Sequence, residues 1–246
     1  MPGDRPSDAR APALSGSEPV SASTRAEIEA FLAEVRTLST SAEPGRRGRL
    51  IFALDATMSR QPTWDQACLL QADMFREAAA IGGLDVQLVY YRGLAECAAS
   101  RWVSDATQLA GLMEKIACRG GHTQIRRVLA HARAQTQKAK VQAVVFVGDA
   151  MEESIDDLSA VAGELGLHGT PVFAFQEGDD AIAGQAFREV ARLSRGAYCR
   201  FNPGAAHELG ELLRAVAAYA AGGLKALDEL SRRQNVGAQR LLAQLS

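Results

Sequence analysis

Two strand-length, almost wholly apolar runs, Leu50 to Leu54 and Val141 to Val147, constrain this chain more than any other feature. A strand with one wet face alternates polar and apolar residues. A short run without that alternation suits a strand covered on both faces, as in the centre of a parallel sheet. Both runs end abruptly in polar groups, the first in Asp55-Ala-Thr57-Met-Ser59 and the second in Gly148-Asp149-Ala150-Met151-Glu152-Glu153.

Between and beyond them, strand patterns alternate with helical ones. Leu84 to Tyr91 alternates Leu84, Val86, Leu88 and Tyr90 and reads as a strand, while the more polar Glu96 to Val103 reads as an edge strand. Pro171 to Phe175 and Ala197 to Phe201 complete six strands. Thr63-Trp64-Asp65-Gln66 has the form of a capping box, starting a helix that turns Ala67, Leu70, Met74, Ala78 and Ile81 inward before Gly82-Gly83 stops it. Further helical spacing covers Asp105 to Ala117 and recurs through Ile125–Ala132, Ile155–Leu165, Ile182–Leu193 and Leu209–Tyr219. This succession predicts an α/β fold: a doubly wound, mostly parallel six-stranded sheet with helices on both faces.

The flanks read differently. Residues 1–22 are rich in Pro, Ser, Gly and Ala and read as a disordered leader without the apolar core of a secretory signal. Residues 23–48 read as a short helix, capped by Thr24, and a Pro-Gly hinge. The compact domain is placed at 49–221, and 222–246, after Gly222-Gly223, reads as a loosely attached or partner-stabilised helical tail. A hydrophobic content of 47% supports a substantial core, and a net charge of −2 gives no case for nucleic acid or an anionic membrane as partner. No apolar run approaches the roughly 18 residues of a membrane helix, so a cytoplasmic location is expected. The four cysteines lack the paired spacing of a zinc or redox motif and read as small buried hydrophobes.

Asp55, Thr57 and Ser59 offer one carboxylate and two hydroxyls at alternate positions, the oxygen donors a hard divalent cation accepts. Gly120-Gly121-His122-Thr123 and Gly148-Asp149 add a hydroxyl and a carboxylate, and ligands in a doubly wound sheet gather where loops leave the carboxyl ends of the strands. His122 reads as a loop residue, and Glu152 and Glu153 as favouring the N-terminus of the helix that follows them, with a supporting role beside the metal ligands as the alternative.

In this order, Asp-x-Thr-x-Ser, Gly-Gly-x-Thr and Gly-Asp after an apolar strand, the chain resembles the von Willebrand factor type A (VWA) domain family over roughly residues 49–221, in its bacterial cytoplasmic form. The resemblance implies a metal-ion-dependent adhesion site, with Asp55 and Asp149 as its acids and Thr57, Ser59 and Thr123 as its hydroxyl ligands. It implies Mg²⁺, or Mn²⁺ or Ca²⁺, as the ion, and a partner protein whose Asp or Glu completes the coordination. That is binding without catalysis, and an AAA+ ATPase of the MoxR type is the partner class implied. Two positions depart from the family pattern. Thr57 stands where serine is usual, and Gly148-Asp149-Ala150 where Thr-Asp-Gly is more common, which removes one hydroxyl.

Two other readings start from the same residues. A phosphatase resembling the haloacid dehalogenases would use Asp55 as nucleophile, with Gly148-Asp149 and Glu153 downstream. Thr57 and the position of Lys138 and Lys140 just before a strand fit it less well. The other is a VWA-like scaffold whose metal site is not used and whose terminal helices do the binding.

Overall fold

The computed structural model describes residues 47–245, so the leader and the expected N-terminal helix lie outside the described residues. Strand β1 (Gly48–Asp55) is followed by a single 3₁₀ turn (Met58–Arg60) and helix α1 (Gln61–Ala79). Then come β2 (Leu84–Arg92), β3 (Glu96–Val103), α2 (Ala106–Met113) and α3 (Ile125–Lys138). The remaining elements are β4 (Ala143–Gly148), α4 (Ile155–Leu167), β5 (Val172–Glu177), α5 (Ala181–Leu193), β6 (Tyr198–Phe201), α6 (Ala206–Arg232) and α7 (Val236–Leu245).

The strands form one sheet in the order β3-β2-β1-β4-β5-β6. All neighbours run parallel except the edge pair β2–β3, which is antiparallel. Parallel neighbours need crossover connections, and the intervening helices supply them on both faces. Side chains alternate across β1: Leu50, Phe52 and Leu54 join Trp64, Met74, Leu109, Leu212 and Leu213 on one face. Ile51 and Ala53 join Ile125, Leu129, Leu158, Phe146 and Phe187 on the other. Both strands read as apolar runs are therefore buried on both sides, as expected of central parallel strands.

Three local expectations change. Helix α1 begins at Gln61, ahead of the expected capping box, with Pro62 in its first turn, where a missing N–H costs nothing. The Thr63 hydroxyl is free for another use and bonds the distant Glu177 carboxylate. Helix α2 ends at Met113 rather than 117. The tail is not loosely attached: α6 continues across a kink at Gly223 (φ 67°), a backbone angle that glycine adopts without strain. Beyond the kink Leu227, Leu230, Ala238 and Leu241 are buried in the α1/α2/α6 core.

Helix α7 also closes the exposed edge of β6. The Gln244 side-chain amide accepts from the Tyr198 N–H at 2.9 Å and donates to the Tyr198 carbonyl at 2.9 Å, standing in for a neighbouring strand. Covering an edge in this way removes a template for pairing with other chains.

Candidate metal centre

The site begins with the register of the central strands. Asp55 is the last residue of β1 and pairs with Tyr91 of β2, and β1 is flanked on its other side by β4. Because the three strands run parallel, the loops leaving β1, β2 and β4 meet at one edge of the sheet. Ala56 fixes the first of them: its N–H donates to the Tyr91 carbonyl at 2.9 Å, and its carbonyl accepts from the Arg119 N–H at 3.0 Å.

Within that loop the Asp55 carboxylate turns back to accept the Thr57 N–H at 2.7 Å. The Thr57 and Ser59 hydroxyls lie 3.4 Å apart, and Ser59 Oγ donates to Asp149 Oδ2 at 3.4 Å. Asp55, Thr57, Ser59 and Asp149 thus form one connected oxygen cluster drawn from the β1 and β4 loops.

Thr123 belongs to the adjacent loop before α3 and is buried. It is tied to the β4 loop by a reciprocal pair of bonds: its N–H donates to Glu152 Oε2 at 3.2 Å, and its hydroxyl accepts from the Glu152 N–H at 3.0 Å. His122 reaches the same Glu152 oxygen at 2.9 Å. Of the two glycines before it, Gly121 is the one that matters for close approach, because an added Cβ there would stand 2.1 Å from the Gly93 carbonyl oxygen, whereas nothing lies within 4 Å of one at Gly120.

Glu152 and Glu153 do not serve the helix that follows them. Ser154 caps α4, accepting from the Asp157 N–H, with Asp156 and Asp157 in the first turn. Glu153 instead reaches α3 and accepts the backbone N–H groups of Ile125 and Arg126. Its carboxylate satisfies donors that the start of α3 leaves open, and so fastens the Thr123 loop to the β4 loop.

Electrostatically the cluster is lean in charge. Asp55 is 3% exposed, and burial pushes its pKa up from the ordinary value. The Thr57 N–H pulls the other way, while the neighbouring Asp149 adds to the rise. The fully buried Tyr91 hydroxyl lies beside Asp55 and favours its charged form, although it makes no bond of full hydrogen-bond geometry. Burial first, and Asp55 second, drive the Tyr91 pKa well upward, so the phenol stays protonated. Among the described residues no three His, Cys, Asp or Glu side chains converge as a metal cluster. An ion here would rest on two carboxylates supplemented by hydroxyls and water, a donor set whose type fits a hard divalent cation.

One neighbour had no place in the sequence reading. Arg60, the last residue of the 3₁₀ turn, is 3% exposed, with its Nη1 3.7 Å from Asp149 Oδ2 and paired to the buried Glu177 at the end of β5. Glu177 also accepts from the Thr63 hydroxyl and from the Gly204 N–H. Arg60, Thr63, Asp149 and Glu177 line a cleft of about 400 Å³ beside the oxygen cluster. Only the Asp-x-Thr-x-Ser-Arg succession hints at the arginine, since its partner comes from a strand far along the chain.

No protein-family model matches the chain, and no curated protein sequence matches it. Solved structures do resemble it. Proximal thread matrix protein 1 from the mussel byssus, with a zinc-occupied MIDAS motif, is 15% identical with a TM-score of 0.58, over 80% of this chain and 52% of that one. The chain spans about half the length of that mussel protein. The SpRpn10 VWA domain is 13% identical with a TM-score of 0.53, over 72% of this chain and 98% of that one. The vWF domain of the type V pili tip protein Mfa5 from Porphyromonas gingivalis is 12% identical with a TM-score of 0.50, over 79% and 97%. The six-stranded α/β fold of the chain is VWA-like.

Proposed function

We propose that this chain is a metal-ion-dependent protein-interaction module. The observation that carries the reading is the convergence of Asp55, Thr57, Ser59 and Asp149 into one oxygen cluster at the carboxyl edge of a VWA-like sheet. Thr123 is fastened to the same β4 loop that carries Asp149, through Glu152. A zinc-occupied MIDAS motif in a solved structure of similar fold supports a divalent ion at the matching place.

In this reading Asp55 and Asp149 supply charge, Thr57, Ser59 and Thr123 supply neutral oxygens, and Mg²⁺, Mn²⁺ or Ca²⁺ is the ion. Two carboxylates balance the charge of such an ion but fill only part of its oxygen shell, and the neutral hydroxyls are weak donors, so a position is left for one further oxygen, an Asp or Glu of a partner protein. No nucleophile or general base is needed, and the module binds without catalysing a reaction. Cytoplasmic placement and an AAA+ ATPase of the MoxR type as partner extend the family resemblance. Among the described residues no helix is long and apolar enough to cross a membrane.

Affinity capture from a bacterial lysate, with and without a chelator and with Asp149→Ala, tests the partner claim. The same proteins should be lost under both treatments, and their retention under both would count against metal-mediated capture.

A further inference from the structure

We propose that Arg60 is a built-in counter-cation that weakens and tunes divalent-ion capture at the Asp55–Asp149 cluster. The inference rests on the metal-binding reading above.

The geometry is unlike that of an ordinary structural ion pair. Arginine normally engages a carboxylate through two parallel N–H bonds of its fork. Here Nη1 alone serves both acids, lying 3.7 Å from Asp149 and pairing with Glu177. Nε and Nη2 are buried with no hydrogen-bond partner. The guanidinium is held between two carboxylates and is committed bidentately to neither. Glu177, steadied by Thr63 and Gly204, anchors it from the far side of the cleft.

A fixed positive charge beside one of two acidic ligands has two consequences. It offsets the charge of Asp149 in the metal-free protein, so the cluster is stable without an ion. It also repels an incoming cation at short range, which lowers affinity. Arg60 thereby makes the site a reversible binder, sensitive to metal concentration.

The test is Mn²⁺ binding to the full chain by titration calorimetry at neutral pH, comparing Arg60→Gln with Arg60→Lys. Arg60→Gln removes the charge and should tighten binding by about tenfold or more. Arg60→Lys keeps the charge without the fork and should stay close to the unaltered chain. Equal affinity in all three, or weaker binding in Arg60→Gln, overturns the proposal while leaving the metal reading intact. Absence of binding in the unaltered chain and in Arg60→Gln alike overturns both. If circular dichroism shows that Arg60→Gln does not fold, the double variant Arg60→Gln/Glu177→Gln removes both members of the pair together. Because the negative charge of Glu177 goes as well, it should bind more tightly than the unaltered chain by less than about tenfold, and an unchanged affinity overturns the proposal.

Discussion

Ser59 and Asp149 meet at the carboxyl edge of the sheet, the serine hydroxyl donating to the aspartate at 3.4 Å although the two residues lie 90 positions apart in the chain. That one contact joins the loop carrying Asp55 and Thr57 to the loop carrying Glu152 and Glu153. Those two glutamates then carry the connection to Thr123 and α3. The site is thus a closed circuit of three loops, and perturbing any of them should reach the others.

As a ligand of the proposed metal site, Asp55 should pit stability against ion binding. Its folded-state pKa is raised by burial, so protonation favours the metal-free fold. The penalty for holding it charged is present above the folded pKa and is relieved as pH falls through it. Asp55→Asn keeps an oxygen for the Thr57 N–H and removes the buried charge. Thermal melting should show a higher metal-free Tm at pH 7 and no further rise with Mg²⁺. A lower Tm with a retained metal shift would contradict the assignment.

Glu153 should act as a cap for α3 delivered from another loop. Glu153→Ala leaves the Ile125 and Arg126 N–H groups without their acceptor. A loss of about 1 kcal/mol is expected, within the usual range for a helix cap. Urea unfolding should show a lower midpoint with an unchanged slope. No change in midpoint would mean that water replaces the carboxylate at no cost.

The two glycines of the second loop should behave oppositely. Gly120→Ala meets open space and should be neutral, whereas Gly121→Ala drives a methyl group into the Gly93 backbone. The strain falls on the segment that presents Thr123, so metal affinity should drop along with stability. Equal tolerance at both positions, read by melting and Mn²⁺ titration, would refute this packing.

His131 gives the fold a mild acid sensitivity. Burial lowers its pKa, with Lys138 adding to the effect, while its ring faces Gln87 at 2.9 Å. Above its unfolded pKa, about 6.5, the ring is neutral in both states and its contribution to stability is intact. As pH falls below that value the unfolded chain takes up the proton first, and stability declines towards the lower folded pKa. His131→Gln should flatten the stability curve just below about pH 6.5. A curve that keeps its full slope would place the sensitivity elsewhere.

Much of the architecture was legible because it follows from local pattern. The apolar runs at Leu50 and Val141, the alternation through Val86 and Leu88, and the polar Glu96 edge strand all lie where expected. The clustering of Asp55, Thr57, Ser59 and Asp149 was legible as well, because strand ends in a parallel sheet converge by topology. What escaped is what depends on long-range partners. Thr63 looked like a cap because its sequence neighbours permit one, but Glu177 claims its hydroxyl. Glu153 looked like support for α4, yet its carboxylate crosses to α3. Nothing local in the sequence marks Arg60, because an arginine after a loop is ordinarily solvated. Its burial follows from Glu177, which no local pattern links to it. The tail looked loose because Gly222-Gly223 reads as a break, but Gly223 only kinks a helix that stays packed.

The central claim is that these loops hold a divalent ion, and melting the chain with and without Mg²⁺ or Mn²⁺, alongside Asp149→Ala, tests it most directly. Saturating ion at about a hundred times Kd stabilises a native state by roughly 2.7 kcal/mol. For a domain of this size that is a Tm rise of roughly 5 °C or more. The account expects that rise in the unaltered chain and its loss in Asp149→Ala. An unaltered chain that melts at the same temperature with and without the ions would contradict it.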